Sequence, residues 1–195
     1  MSKSFEPAFA EQAVSVANKE RMGMDLGGYL QKGLQVLLMD KNVIEALSRD
    51  EEALPPAMLF FAIAGVASGV GQLSFRGMFF GILMLTLGSF VTVGLLHILA
   101  RLFGSTATFL ELYRPLGVAA SLHWVQVFPF IGPFLGFLAM LYSLIVTVVV
   151  VETVGGLPRS SSLVVVALLF GILVFLGLVF LAILGSLLLL NAALG

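Results

Sequence analysis

Residues 163–190 of this chain contain no charged side chain. Wound as an α-helix, about 28 residues rise about 42 Å. That exceeds the roughly 30 Å hydrocarbon core of a bilayer, so a helix here must tilt or protrude. The rest of the chain asks for the same solvent. Of its 195 residues, 59% are hydrophobic and 11% charged, whereas ordinary soluble domains carry roughly a quarter charged residues. Mean hydropathy is +1.10. No soluble fold of this length could hide so much apolar surface, and lipid is the expected solvent for much of it.

The same composition excludes several functions. A net charge of −1 argues against nucleic acid as a partner. The absence of cysteine removes disulfides, thiolate metal sites and cysteine nucleophiles. Two histidines, His97 and His123, stand without an HExxH or carboxylate–histidine array, so no metal and no cofactor is expected. The glycines of 65–71 (GVASGVG) read as an apolar helix, not a phosphate loop. No acid–base cluster suited to an enzyme is evident. No signal peptide is evident either, so the first membrane helix is expected to direct targeting.

The expected architecture is all-α: a polytopic membrane bundle of five transmembrane helices, preceded by an amphipathic interfacial helix. Residues 1–54 form a cytoplasmic extension holding six of the ten basic and nine of the eleven acidic residues. Its first 28 residues are expected to be a loose arm or a short helix. Over 29–48, Leu30, Leu34, Leu37, Leu38, Ile44 and Leu47 fall near one helical face. Such a helix could lie at headgroups, grip a partner, or pack on the chain's own membrane domain. Asp50, Glu51, Glu52 and then Pro55 and Pro56 mark the boundary of the membrane domain, 55–195. Its spans are expected at 57–75, 78–100, 116–128, 133–151 and 163–190. Arg76 and Gly77 interrupt the first two. Pro129 and Pro133 break the helix at PFIGP. Residues 152–162 form a glycine–proline–serine turn, with Ser160, Ser161 and Ser162 capping the last helix. Gly65 and Gly69, Gly77 and Gly81, and Gly132 and Gly136 are each spaced by four, which lets helix backbones approach closely in lipid. They are expected to pack helices within one subunit, with dimerisation as the alternative.

Basic residues set the orientation. With five crossings and the N-terminus inside, nine lie on the inner side and only Arg76 outside, which leaves the C-terminus outside. A re-entrant 116–128 segment with four crossings divides them eight to two. Either way, residues 97–115 (HILARLFGSTATFLELYRP) form a polar turn between apolar segments. His97 and Arg101 share a helix face; Glu111, Arg114 and Glu152 are expected at the same level. Buried near lipid, these charges need partners, so Arg101 or Arg114 is expected to pair with Glu111 or Glu152. The cluster reads either as a recognition patch or as ion pairs that lock helix ends, with arginines reaching to headgroups. His123 and Gln126 fall toward the outer half. Trp124 and Tyr142 suit membrane anchoring or packing. Residues 97–121 (HILARLFGSTATFLELYRPLGVAAS) and 128–168 (FPFIGPFLGFLAMLYSLIVTVVVVETVGGLPRSSSLVVVAL) resemble the Yip domain (Rab/Ypt-interacting membrane protein) family in its prokaryotic form. His97, Arg101, Phe103, Gly104, Phe109, Arg114, Pro129 and Gly132 carry the resemblance, although Ser105 stands where a second glycine is usual. It implies five membrane helices with a cytoplasmic N-terminal region. In eukaryotic relatives it implies binding of prenylated Rab GTPases, membrane shaping and assembly with related proteins. For a bacterial or archaeal plasma membrane, the architecture and an interaction role carry over, but not the Rab partner. The expected function is thus a non-enzymatic membrane scaffold or adaptor that engages the bilayer and a protein partner, anionic lipid or a further copy of itself. The alternative is a transporter or channel component, suggested by the broken helix and by Gln72, His97, His123 and Gln126 within the spans. Against that alternative stand the lack of an intramembrane carboxylate and of an inverted repeat.

Overall fold

The structure, a computed structural model, describes residues 25–194; the loose arm expected at the N-terminus lies almost wholly outside them. Among the described residues every regular element is a helix. Two short helices come first, α1 (Leu26–Leu37) and α2 (Lys41–Arg49). The single helix expected over 29–48 is therefore broken. Met39 adopts φ 63°, and Asp40 accepts hydrogen bonds from the Asn42 and Val43 amides, which starts α2 afresh. Both helices pack on the chain's own bundle: Tyr29, Val36, Ile44 and Leu47 are buried in the common core.

Four long apolar helices follow: α3 (Leu54–Gly71), α4 (Phe75–Leu102), α6 (Gly132–Gly155) and α7 (Arg159–Leu194). These four are long and apolar enough to cross a membrane. Between α4 and α6 lie α5 (Phe109–Ala119) and a 3₁₀ helix (Ala120–Val127), where a third straight span was expected. Close packing fixes the end of this segment. The Gln126 carbonyl is pressed between α3 and α6: a Cβ on Gly71 would lie 1.9 Å from its oxygen, and one on Gly132 2.4 Å.

Turn chemistry sets the helix ends. Pro55 and Pro56 occupy the first turn of α3. The α3–α4 break falls at 72–74, not at Arg76: Leu73 has φ 51° and Ser74 caps α4 by accepting from the Gly77 amide. Gly104, at φ +94°, turns the chain after α4. Thr108 and Glu111 form a reciprocal capping box at α5. Gly156, at φ 65°, closes α6. The last turn is shorter than expected. Glu152 lies in the final turn of α6, and α7 begins directly after Pro158. Its serines therefore sit inside the first turn, and the Ser162 hydroxyl donates back to the Pro158 carbonyl.

The most extensive helix contact is the α3–α4 hairpin. A Cβ on Gly65 would lie 2.4 Å from the Gly81 carbonyl carbon, and one on Gly69 2.2 Å from the Met78 amide nitrogen. Gly132 and Gly136 face Gln126. At the core, Tyr113 is fully buried, stacks on Phe90 at 4.7 Å and donates its hydroxyl to Ser89, whose own proton goes to the Thr86 carbonyl. The outward faces of α4 and α7 are apolar and exposed, as lipid contact requires.

Candidate functional site

Helix direction brings the start of α3, the end of α4, the start of α5, the end of α6 and the start of α7 to one end of the bundle. On that end sit α1 and α2. Six of the seven basic residues in the described part lie there, as do all its carboxylates; Arg76 lies at the opposite end. Asp50 is the junction. It ends α2, accepts from the Glu52 amide, and takes hydrogen bonds from the Tyr29 hydroxyl (3.0 Å) and the Lys32 ammonium (3.2 Å). Burial works to raise its pKa, but the Lys32 and Tyr29 bonds together outweigh it and hold the carboxyl below its ordinary value. Burial, and then the bond to Asp50, push the Tyr29 hydroxyl up to about 12.

The expected polar residues divide. Arg114 is 9% exposed and donates through Nη1 to the Ser48 carbonyl at 2.7 Å, so it caps the C-terminus of α2. Its Nε has no partner among the described residues. Glu111 is engaged by its own capping box. Glu152 pairs with Lys41 of α2 and not with Arg101 or Arg114. The expected arginine–carboxylate pairs are thus replaced, because α2 lies across this end of the bundle and reaches both groups first. Arg101 is exposed beside Leu102 and forms no ion pair among the described residues; the Nδ1 of His97 has no hydrogen-bond partner there. Sequence reasoning missed Tyr29, Lys32, Ser48 and Asp50 as members of this face. Asp50 carried a signal, as an acid followed by Glu51 and Glu52 ahead of two prolines, but was read only as a boundary.

A second feature lies within the bundle. Two openings of about 290 and 370 Å³ share Thr92, His123, Ser143 and Thr147, and so form one cleft. It separates α4 from α6 and α7. The Ser143 hydroxyl gives its proton to the Ala139 carbonyl and the Thr147 hydroxyl to the Ser143 carbonyl. The 3.1 Å contact between His123 Nε2 and Ser143 Oγ must then be donated by the histidine. Nδ1 is left to accept from Gln126 Nε2 at 3.4 Å. His123 is therefore a neutral, hydrogen-bonded linker, and no three His, Asp or Glu among the described residues group to hold a metal. His97 and His123 do not meet. The Tyr142 hydroxyl bonds the Leu37 carbonyl, and Trp124 Nε1 bonds the Phe60 carbonyl at 3.2 Å, so both aromatics serve packing.

No curated protein and no solved structure matches the chain. A family profile does: the Yip1 domain matches residues 34–182. That range starts within α1, takes in α2 and all the turns above, and ends within α7. With its four long apolar helices, the molecule is an integral, multi-pass membrane protein. The chain belongs to the Yip1 domain family.

Proposed function

We propose that the protein is a non-enzymatic membrane scaffold or adaptor, and that the end built from α1, α2 and the α4–α5 turn is its recognition face. The observation that carries this reading is the anchoring of α1 and α2 to the bundle. Arg114 holds the end of α2 and Lys41 joins it to α6, while Leu38 and Leu102 stay 79% and 76% exposed beside charged groups. A rigid surface that mixes apolar and charged side chains suits a protein partner, a further copy of the chain, or headgroups bearing anionic charge. His97, Arg101, Glu111, Arg114 and Glu152 belong to this end, Arg101 as an exposed contact and Arg114 and Glu152 as its fasteners.

The orientation follows from the basic residues. The face is cytoplasmic, with residues 1–54 on that side and 55–195 forming the membrane domain, in the plasma membrane of a bacterium or archaeon. Five crossings suit the packing better than four. Near the start of α3, a Cβ on Gly117 would lie 2.5 Å from Ala57, and at its end Gly71 abuts Gln126. Between these contacts α3 rises about 21 Å, and the end of α5 with the 3₁₀ helix about 16 Å. The segment thus runs alongside most of α3, and an odd number of crossings leaves the C-terminus outside. Single cysteines at Arg76, Arg101 and Gly195 test this, since the chain has none of its own. An impermeant maleimide added to intact cells should label positions 76 and 195 but not 101. Labelling at 101 refutes the orientation, and protection at 195 refutes five crossings. For the adaptor role, capture in mild detergent should yield a stoichiometric partner or oligomer that is lost on Arg101→Glu with Leu102→Ser.

A transporter or channel component is the second reading. The chain of hydrogen bonds from Gln126 through His123 to Ser143 favours it, since it leads from the polar opening at Ser68, Gln72 and Pro133 toward the cleft. Solute flux through the purified protein in liposomes, abolished by His123→Ala, would replace the adaptor reading.

A further inference from the structure

We propose that the cleft between α4 and α6–α7 binds a neutral, single-chain lipid bearing a hydroxyl group, such as a long-chain alcohol. The inference is independent of the adaptor reading. It rests on where the cleft opens and on which hydrogen-bonding positions remain free in it.

The cleft lies along the middles of apolar helices long enough to span a bilayer. One end is covered by Leu37, the last residue of α1, tied there by Tyr142. The other end runs beneath α7 to Phe170 and Val174, which are 36% and 43% exposed on the lipid side. Its larger part, about 370 Å³, falls within the size of small-molecule sites. Its distal stretch, lined by Leu169, Leu173 and Val174, is apolar and does not hold water well. At this depth, the available occupant is a hydrocarbon chain entering sideways from the bilayer.

The polar wall selects the head. Thr92, His123, Ser143 and Thr147 gather on the stretch common to both parts of the cleft, while Leu169, Leu173 and Val174 line the distal part. The protons of Ser143, Thr147 and His123 Nε2 are already given to protein acceptors. The oxygens of Ser143 and Thr147 retain lone pairs, and the Thr92 hydroxyl, which makes no hydrogen bond among the described residues, can donate as well as accept, so this wall suits a group that does both. No cation lines either part. A carboxylate or phosphate would therefore be desolvated without a counter-charge, at high cost. A hydroxyl can donate to the Ser143 or Thr147 oxygen, accept from Thr92, and stay neutral.

The probe is a long-chain alcohol carrying a diazirine near its terminal methyl, added to the full-length protein in phosphatidylcholine liposomes and photolysed. Labelled positions are mapped by peptide mass spectrometry. Labelling should concentrate on α6 near Met140 and Leu144 and on α7 near Leu169 and Leu173. A tenfold excess of unlabelled hexadecanol should suppress it severalfold, and palmitate at pH 8 should not. Thr147→Phe, which fills the shared stretch, should reduce labelling about tenfold, with Leu178→Phe on the exposed face of α7 as the unaffected control. Leu173→Trp fills the distal part and gives the same reading if Thr147→Phe is not monodisperse. Labelling spread over the outer faces of α4 and α7 and insensitive to hexadecanol overturns the site. So does full labelling in both filled variants. Equal competition by palmitate overturns the hydroxyl selectivity.

Discussion

Gly65→Ala is the sharpest test of how this bundle is held together. The added methyl would lie 2.4 Å from the Gly81 carbonyl carbon and 2.5 Å from the Ile82 amide nitrogen. Comfortable carbon contacts are about 3.5–4.0 Å, so α3 and α4 must part by about 1–1.5 Å. Neither obstacle is a side chain that can rotate away; both are helix backbone. Overpacking of this kind costs about 1–3 kcal/mol, and alanine returns about 1 kcal/mol of helix propensity relative to glycine. The net expectation is a loss of up to about 2 kcal/mol. Gly94→Ala supplies the opposite sign. Gly94 lies within α4 with nothing within 4 Å of a Cβ, so the propensity gain of up to about 1 kcal/mol stands alone. Folded protein remaining after heating, read by size-exclusion chromatography in one detergent, reports both. At about 2–4 °C per kcal/mol for chains of this size, Gly65→Ala should melt a few degrees below the parent and Gly94→Ala slightly above it. Shifts of the same sign and size at the two positions would refute a backbone-to-backbone contact between α3 and α4.

Arg114→Met should loosen α2, because the buried Ser48 carbonyl loses a charged donor worth about 1.5–3 kcal/mol; faster proteolysis within Lys41–Arg49, with the membrane helices still intact, is the readout. Lys41→Glu should cost under about 1 kcal/mol, since Lys41 is 57% exposed, and adding Glu152→Lys should restore the parent melting temperature. Asp50 and Tyr29 make the docking of α1 depend on pH at both extremes. The folded-state pKa of Asp50 is lowered, so its contribution is full above the unfolded value near ~3.9 and is lost as pH falls through the lower folded value. Tyr29 is raised to about 12, so its contribution is full below the unfolded value near ~10 and is lost as pH rises toward the folded one. Hydrogen exchange over α1 should follow the acid limb and vanish as a pH effect in Asp50→Asn, while tyrosinate absorbance near pH 12 should lose one component in Tyr29→Phe.

The features legible in the sequence are those that a single segment decides for itself. Long uncharged stretches announce membrane helices because lipid leaves the backbone no other way to satisfy its hydrogen bonds. Pro129, Pro133, Gly104 and Gly156 announce turns because their backbones favour them. The features that stayed hidden depend on several segments meeting. Met39 breaks an evenly amphipathic run at φ 63° with none of the glycine or asparagine that usually marks such a conformation. That one kink redirects α2 across the end of the bundle. As a result Lys41, 111 positions away in sequence, reaches Glu152, and the end of α2 claims Arg114. Arg101, which looked like a partner for either carboxylate, is left facing outward. The placement of Ala120–Val127 is likewise set between segments, since its Gln126 carbonyl lies against Gly71 and Gly132 on two other helices. The composition of the exposed face therefore follows from the Met39 kink more than from the charges themselves. A substitution that straightened this kink, such as Asp40→Ala with Met39→Ala, should release Lys41 and Arg114 together, although neither residue is changed.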